Sequence, residues 1–148
     1  MIAVDTNILV YAHRRDGSLF ELASAALRVL AEGTQQWAIP WPCVGEFLSV
    51  VTNPRGSTDP TPVAVAVDQV EAWLSSPTAH TLSERPGTWP VLADLLTSSK
   101  VTGPRVHDAR IAAICLEQGV SELWTADRDY GRFPRLRTRN PLVGRGTS

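Results

Sequence analysis

Residues 1–12, MIAVDTNILVYA, contain the passage from an apolar strand to a helix that decides the fold. The apolar run 1–4 ends at Asp5, which is the pattern of a short buried strand followed at once by a charge. Thr6 and Asn7 are good helix-capping residues, and the apolar residues after them predict the start of a helix. A strand that passes directly into a helix is the unit from which α/β domains are built.

The same alternation of strands and helices continues along the chain. Short apolar stretches predict further strands at residues 37–39, 79–82 and 122–125. Apolar spacing, with Gly and Pro at the ends, predicts helices over residues 18–31, 43–51, 63–74, 87–99 and 103–117. Short strands that alternate with helices predict an α/β fold with a central, mainly parallel sheet.

The composition is that of an ordinary globular domain. The chain has 148 residues, of which 43% are hydrophobic and 20% are charged, so a single domain without extensive disorder is expected. No apolar stretch approaches the roughly 18 residues of a membrane span, and the first residues lack a basic leader. The two cysteines, Cys43 and Cys115, lack the spacing of a disulfide framework or a zinc site. We therefore expect a cytoplasmic protein with no membrane partner.

The cations are almost all arginines, and they are unevenly distributed. The net charge is −1, which by itself predicts no nucleic-acid partner. Six arginines follow the last predicted strand: Arg128, Arg132, Arg135, Arg137, Arg139 and Arg145. The planar guanidinium suits phosphate or carboxylate, but a solvated arginine-rich surface explains the same pattern, and both interpretations remain open here.

Two acids mark the edge of the sheet where functional residues of open α/β folds gather. Asp5 ends the first predicted strand, and Asp127 lies just beyond the last one, so both are expected at the carboxyl edge. Each also has an ordinary structural explanation. Asp5 would stabilise a helix N-terminus by roughly 0.3–1 kcal/mol, and Asp127 would suit a turn.

Two further acids lie on predicted helices. Asp108 belongs to a helix that is apolar on nearly every side, so its carboxylate must be protonated, paired or bound to a metal. Glu46 lies about 150° from the apolar stripe of its helix, so periodicity alone predicts that it faces solvent. If the acids converge, their repulsion calls for cations, and oxygen ligands select Mg²⁺ or Mn²⁺. Such ions activate water for phosphodiester hydrolysis, which is nuclease chemistry.

Four motifs in this order resemble the PIN-domain proteins, and specifically the VapC toxins of type II toxin–antitoxin systems. The motifs are DTNILVYA at 5–12, PCVGEF at 42–47, HDARIAA at 107–113 and TADRDY at 125–130. The resemblance covers roughly residues 1–140, a single PIN-like nuclease domain, and leaves 141–148 as a short C-terminal tail. It implies a PIN-like α/β/α sandwich and endoribonuclease activity that depends on Mg²⁺ or Mn²⁺.

The resemblance also implies which residues form the site and which partners the protein has. By motif position, the catalytic, metal-binding acids are Asp5, Glu46, Asp108 and Asp127. For Glu46 this overrides the prediction from periodicity. The supporting residues are Asn7, Thr125 and Asp129. The implied partners are an RNA substrate, a cognate VapB-type antitoxin and a second copy of the chain in a homodimer. To these we add phosphate contacts by four arginines: Arg128, Arg132, Arg135 and Arg137.

Two other functions are compatible with the same residues. A catalytically silent PIN scaffold would form a complex with its partner and show no metal-dependent turnover. A small phosphatase or phosphodiesterase that acts on nucleotides would cleave model phosphate esters and leave structured RNA intact.

Overall fold

The computed structural model describes residues 1–56 and 59–144. Its strands are β1 (Ile2–Val4), β2 (Trp37–Pro40), β3 (Ala79–Leu82), β4 (Glu122–Trp124) and β5 (Thr138–Arg139). Its α-helices are α1 (Thr6–His13), α2 (Phe20–Glu32), α3 (Trp41–Thr52), α4 (Val63–Leu74), α5 (Thr88–Ser98) and α6 (Arg105–Glu117). A short 3₁₀ helix covers Arg128–Arg132. The last residues of the expected tail, 145–148 with Arg145, lie outside the described residues.

The strands form one sheet in the order β3-β2-β1-β4-β5, and every neighbouring pair is parallel. This confirms the predicted parallel sheet. The chain runs outward from β1 to β3 and then crosses back to β4 on the other side of β1. Crossover connections are right-handed, so connections in opposite directions cover opposite faces of the sheet. Helices α1 to α4 pack on one another and α5 packs on α6, which gives three layers, α/β/α.

The sheet and α6 form the centre of the core. Every residue of β1 and β2 is buried, as expected for parallel strands that are covered on both faces. In α6, Ala109 and residues 111–115 are buried, so the prediction of a helix enclosed on nearly every side is confirmed. Asp108 lies in the first turn of this helix and is thereby held at the margin of the core.

Several boundaries differ from the sequence predictions for identifiable reasons. Helix α3 begins at Trp41, directly after β2, two residues before the predicted start at residue 43, and Pro42 stands in its first turn, where a proline is tolerated. Asp5, rather than Thr6 or Asn7, is the N-cap of α1, and its side chain accepts a hydrogen bond from the backbone N–H of Thr6. The strand β5 was missed, since its two exposed residues carry no apolar pattern.

Two further features of the described residues concern the cysteines and the apolar character of the helices. Neither Cys43 nor Cys115 forms a disulfide, and both are buried. Across residues 1–56 and 59–144, no helix has the length and apolar character that crossing a membrane requires.

Candidate active site

An acidic pocket of about 260 Å³ lies where β1 and β4 end. Its wall contains the four acids that the sequence singled out: Asp5, Glu46, Asp108 and Asp127. Asp5 caps α1, Glu46 comes from α3, Asp108 from α6, and Asp127 follows β4. This is the topological switch point of the sheet, where connections leave β1 and β4 in opposite directions and open a crevice.

Asp5 is the buried member of the pocket, with 5% of its surface exposed. One carboxylate oxygen accepts hydrogen bonds from the Thr6 N–H at 2.8 Å and from the Cys43 thiol at 3.6 Å. The other accepts from the Thr125 hydroxyl at 2.8 Å and from the Asn7 amide at 3.2 Å. Four donors therefore hold this carboxylate in one orientation.

The environment of Asp5 disfavours its charged form despite these donors. The pKa of Asp5 is raised from 3.8 to about 6, because burial and, to a smaller degree, the nearby charge of Glu46 raise it by more than the hydrogen bonds from Thr125 and Thr6 lower it. Desolvation is the dominant cause. An ionised Asp5 would accordingly be stabilised by a cation in the pocket.

Asn7 and Thr125 connect Asp5 with Asp127. The Asn7 amide donates to the Thr125 hydroxyl at 3.1 Å, and its carbonyl oxygen accepts from the Ala126 N–H at 3.0 Å. The Thr125 oxygen in turn accepts from the Asp127 N–H at 3.0 Å. The two side chains thus connect the start of α1 with the segment after β4. Such contacts are those expected of residues that support the acids.

Glu46 is exposed, as its periodicity predicts, and nevertheless lines the acidic pocket. Its carboxylate accepts a hydrogen bond from the Thr6 hydroxyl at 3.3 Å. Because α3 starts directly at the end of β2, its second turn stands at the rim of the crevice. A solvent-facing position on this helix is therefore also a position at the pocket.

Arg105, the first residue of α6, is the residue at this site that sequence reasoning missed. Its guanidinium lies 3.2 Å from the carboxylate of Asp108 and 3.6 Å from that of Asp127, and it also contacts Asp129. Burial raises the pKa of Asp108, and the hydrogen bond from Arg105 opposes that effect. The only sequence signal was the spacing of three between Arg105 and Asp108, which is typical of any helix surface.

The donor set has the chemistry that a hard divalent cation requires. Carboxylates, with hydroxyl and amide oxygens beside them, are the ligands that Mg²⁺ and Mn²⁺ prefer. Within residues 1–56 and 59–144, however, no three Asp, Glu, His or Cys side chains are grouped closely enough to hold an ion as they stand. The residues therefore fit the ion by type, while Arg105 already neutralises part of their charge.

The four arginines for which we predicted RNA contacts lie outside the acidic pocket. None of them is among the residues of its wall, and all are exposed: Arg128, Arg132, Arg135 and Arg137. Arg128 follows Asp127 directly, and Arg135 pairs with Asp94 at 3.3 Å. Their contact with RNA remains a prediction.

Comparisons with known proteins match both the sequence and the fold. Residues 2–136 match the PIN domain family. Ribonuclease VapC43 of Mycobacterium tuberculosis is 38% identical over 146 residues, which is 97% of each chain. Ribonuclease VapC48 of the same organism is 30% identical over 140 residues, or 95% of this chain and 97% of the relative. The crystal structure of VapBC2 from Rickettsia felis bound to promoter DNA has a TM-score of 0.70 at 20% identity, covering 95% of this chain and 98% of that one.

Proposed function

The chain belongs to the PIN-domain family, among its VapC ribonucleases, and on this premise we propose that it is the endoribonuclease toxin of a type II toxin–antitoxin system. The observation that carries the proposal is the meeting of four acids from four separate elements in one pocket at the switch point of the sheet. We propose that they hydrolyse RNA phosphodiester bonds with Mg²⁺ or Mn²⁺.

The polar residues of the pocket either hold the ion or orient other groups in this proposal. Asp5, Glu46, Asp108 and Asp127 would hold the ion, which when bound supplies an activated water and offsets the charge of the phosphate. Asn7 and Thr125 keep Asp5 and Asp127 oriented through the hydrogen bonds described above. Glu46 is the most exposed of the four acids, and from the rim of the pocket it would orient the attacking water.

Removal of the metal is the first test of this proposal. We expect antitoxin-free protein to cut cellular RNA with Mg²⁺ or Mn²⁺ and to leave it intact with EDTA, because the carboxylates outnumber the one guanidinium among them and repel a phosphate anion unless a divalent ion offsets their charge. RNA fragments resolved on a denaturing gel give the readout. Equal cleavage in EDTA would contradict the metal site. Turnover of a model phosphodiester with no RNA cleavage would favour the nucleotide phosphodiesterase, and complex formation without any turnover would favour the silent scaffold.

The acidic pocket also supports the proposed partners. We infer that a VapB-type antitoxin inhibits the protein by placing a basic side chain among the carboxylates, where a charge-assisted hydrogen bond is favourable. With an RNA substrate and an antitoxin of this kind, we propose that it acts in the cytoplasm. The homodimer that the family resemblance implies is part of the same proposal.

The exposed arginines after β4 have a separate test. We expect Arg128→Ala to weaken binding of a single-stranded RNA and to reduce the slope of log K against log salt by about 0.7–0.9, the value for one lost phosphate contact. Binding is measured by fluorescence anisotropy in EDTA at several salt concentrations. Arg28→Ala, an exposed arginine on α2, is the matched control and should leave the slope unchanged. An unaltered slope in Arg128→Ala would show that this arginine belongs to a solvated surface and does not contact a phosphate.

A further inference from the structure

The guanidinium of Arg105 is the feature of the acidic pocket that the proposed function leaves unexplained. It contacts three carboxylates, those of Asp108, Asp127 and Asp129, and two of these are proposed metal ligands. Arginine keeps its positive charge at every pH at which the protein is folded. A permanent cation therefore stands where the proposed function requires a metal ion.

Electrostatics explain why the side chain lies there. Three carboxylates around one point repel each other, and the repulsion falls when a positive charge stands between them. The three Asp side chains carry formal charges of −3 against +1 for Arg105, so the cluster remains negative and still attracts a further cation. The Arg105 side chain is 41% exposed, so its ion pairs are partly screened and can exchange with solvent.

We propose that Arg105 is a positioning residue that takes the place of the divalent cation in the metal-free protein and must release Asp108 and Asp127 when the ion binds. The proposal rests on the proposed function, because it presupposes that these acids hold a metal. Asp129 then has its own task, which is to retain the released guanidinium at the rim of the pocket. The contacts agree with this exchange, because the guanidinium already contacts carboxylate oxygens of Asp108 and Asp127, two of the acids that the ion needs.

The proposal predicts that loss of the Arg105 charge raises the metal affinity and lowers the stability of the metal-free protein. Removing one positive charge a few ångströms from a divalent ion is worth about a factor of ten in affinity even at the dielectric constant of water. Arg105→Ala should therefore bind Mn²⁺ about tenfold more tightly than the wild type. In EDTA the same variant should have a lower Tm, because three carboxylates lose their shared counter-charge. Arg105→Lys keeps the charge and should remain close to the wild type in Mn²⁺ affinity.

The experiment is calorimetric titration of the metal-free protein with MnCl₂, combined with thermal unfolding in EDTA. Arg85→Ala is the matched control, since Arg85 forms an ion pair with Glu117 at the other end of α6 and is also exposed. It should leave the Mn²⁺ affinity unchanged. Asp108→Asn should remove most of the binding heat, which locates the titrated site in the acidic pocket.

Each result separates the role of Arg105 from the proposed function. The exchange is supported if Arg105→Ala binds Mn²⁺ more tightly than the wild type and has a lower Tm in EDTA, while Arg105→Lys and Arg85→Ala keep the wild-type affinity. Equal or weaker binding by Arg105→Ala, in a protein whose wild type binds Mn²⁺ at this site, overturns the exchange and leaves the metal site standing. Absence of binding in both proteins overturns the metal site and, with it, the role proposed for Arg105.

Discussion

Asp108→Asn is expected to abolish RNA cleavage, with a loss in kcat/KM of about a thousandfold or more. The carboxylate lines the acidic pocket and is one of its proposed metal ligands. An asparagine has the same shape but no charge, so it cannot offset a divalent ion. The fold should persist, because the Asp108 side chain is 22% exposed and the amide oxygen of Asn still accepts the hydrogen bond from Arg105.

The control for this prediction is the same substitution at an exposed acid. Asp68 lies on α4 and is exposed, away from the wall of the acidic pocket. We expect Asp68→Asn to cut RNA at the wild-type rate. Thermal unfolding of both variants shows whether the fold is intact, and cleavage is followed with an end-labelled RNA. A well-folded Asp108→Asn protein that cuts at the wild-type rate would refute the assignment of this acid.

Asp5→Asn is expected to stabilise the metal-free protein at neutral pH while it eliminates cleavage. The pKa of Asp5 is raised from 3.8 to about 6, chiefly by burial, so the folded state binds this proton more tightly than the unfolded state does. Ionisation of Asp5 therefore does not lower the free energy of unfolding below about pH 3.8, and it lowers it progressively more as the pH rises to 6. A shift of about two units corresponds to roughly 3 kcal/mol, which is the upper limit of the gain above pH 6.

The gain in free energy of unfolding should be smaller than this limit, because the NH₂ group of the new asparagine would meet hydrogen-bond donors that it cannot accept from. Asn at position 5 offers one acceptor oxygen where the carboxylate offered two, and Thr6, Thr125 and Asn7 all donate to that carboxylate. A lost hydrogen bond costs about 1 kcal/mol, so we expect a net gain of about 1–2 kcal/mol at pH 7.5.

Urea unfolding in EDTA at pH 4.5, 6 and 7.5 measures this effect. The difference between Asp5→Asn and the wild type should grow with pH and level off above pH 6. Asp68→Asn, a change at an exposed acid on α4, serves as the control and should show no such trend. A difference that is independent of pH, or a variant that is less stable at pH 7.5, would contradict the proposed cost of ionising Asp5.

Local patterns in the sequence predicted most of the fold. The helices and four strands follow from apolar spacing and from Gly, Pro and capping residues, which act within a few positions of one another. The strand β5 could not be predicted, since its residues 138–139 are exposed and pair with β4 only through the backbone. The cap of α1 was misplaced by one position because Asp5 is both the end of the strand and the acceptor for Thr6.

The candidate site was predicted in part, and Glu46 shows why. Periodicity indicated its exposed side correctly, and the motif resemblance indicated a place in the site. The two predictions are compatible in the structure, because α3 starts at the end of β2 and its exposed side meets the rim of the acidic pocket. A helix pattern reports which side faces the core, but it does not report what lies beside the solvent-facing side.

The sequence by itself determined the alternation of strands and helices, the parallel sheet, and the identity and order of the four acids. Only the tertiary structure decided that these acids share one pocket and that Arg105 stands among them. The first set depends on interactions between near neighbours along the chain. The second depends on the crossing from β3 back to β4, which brings α6 beside the segment after β4. The strength of a Coulomb interaction depends on the distance between two groups in space. That distance cannot be read from their spacing along the chain when the groups lie on different elements.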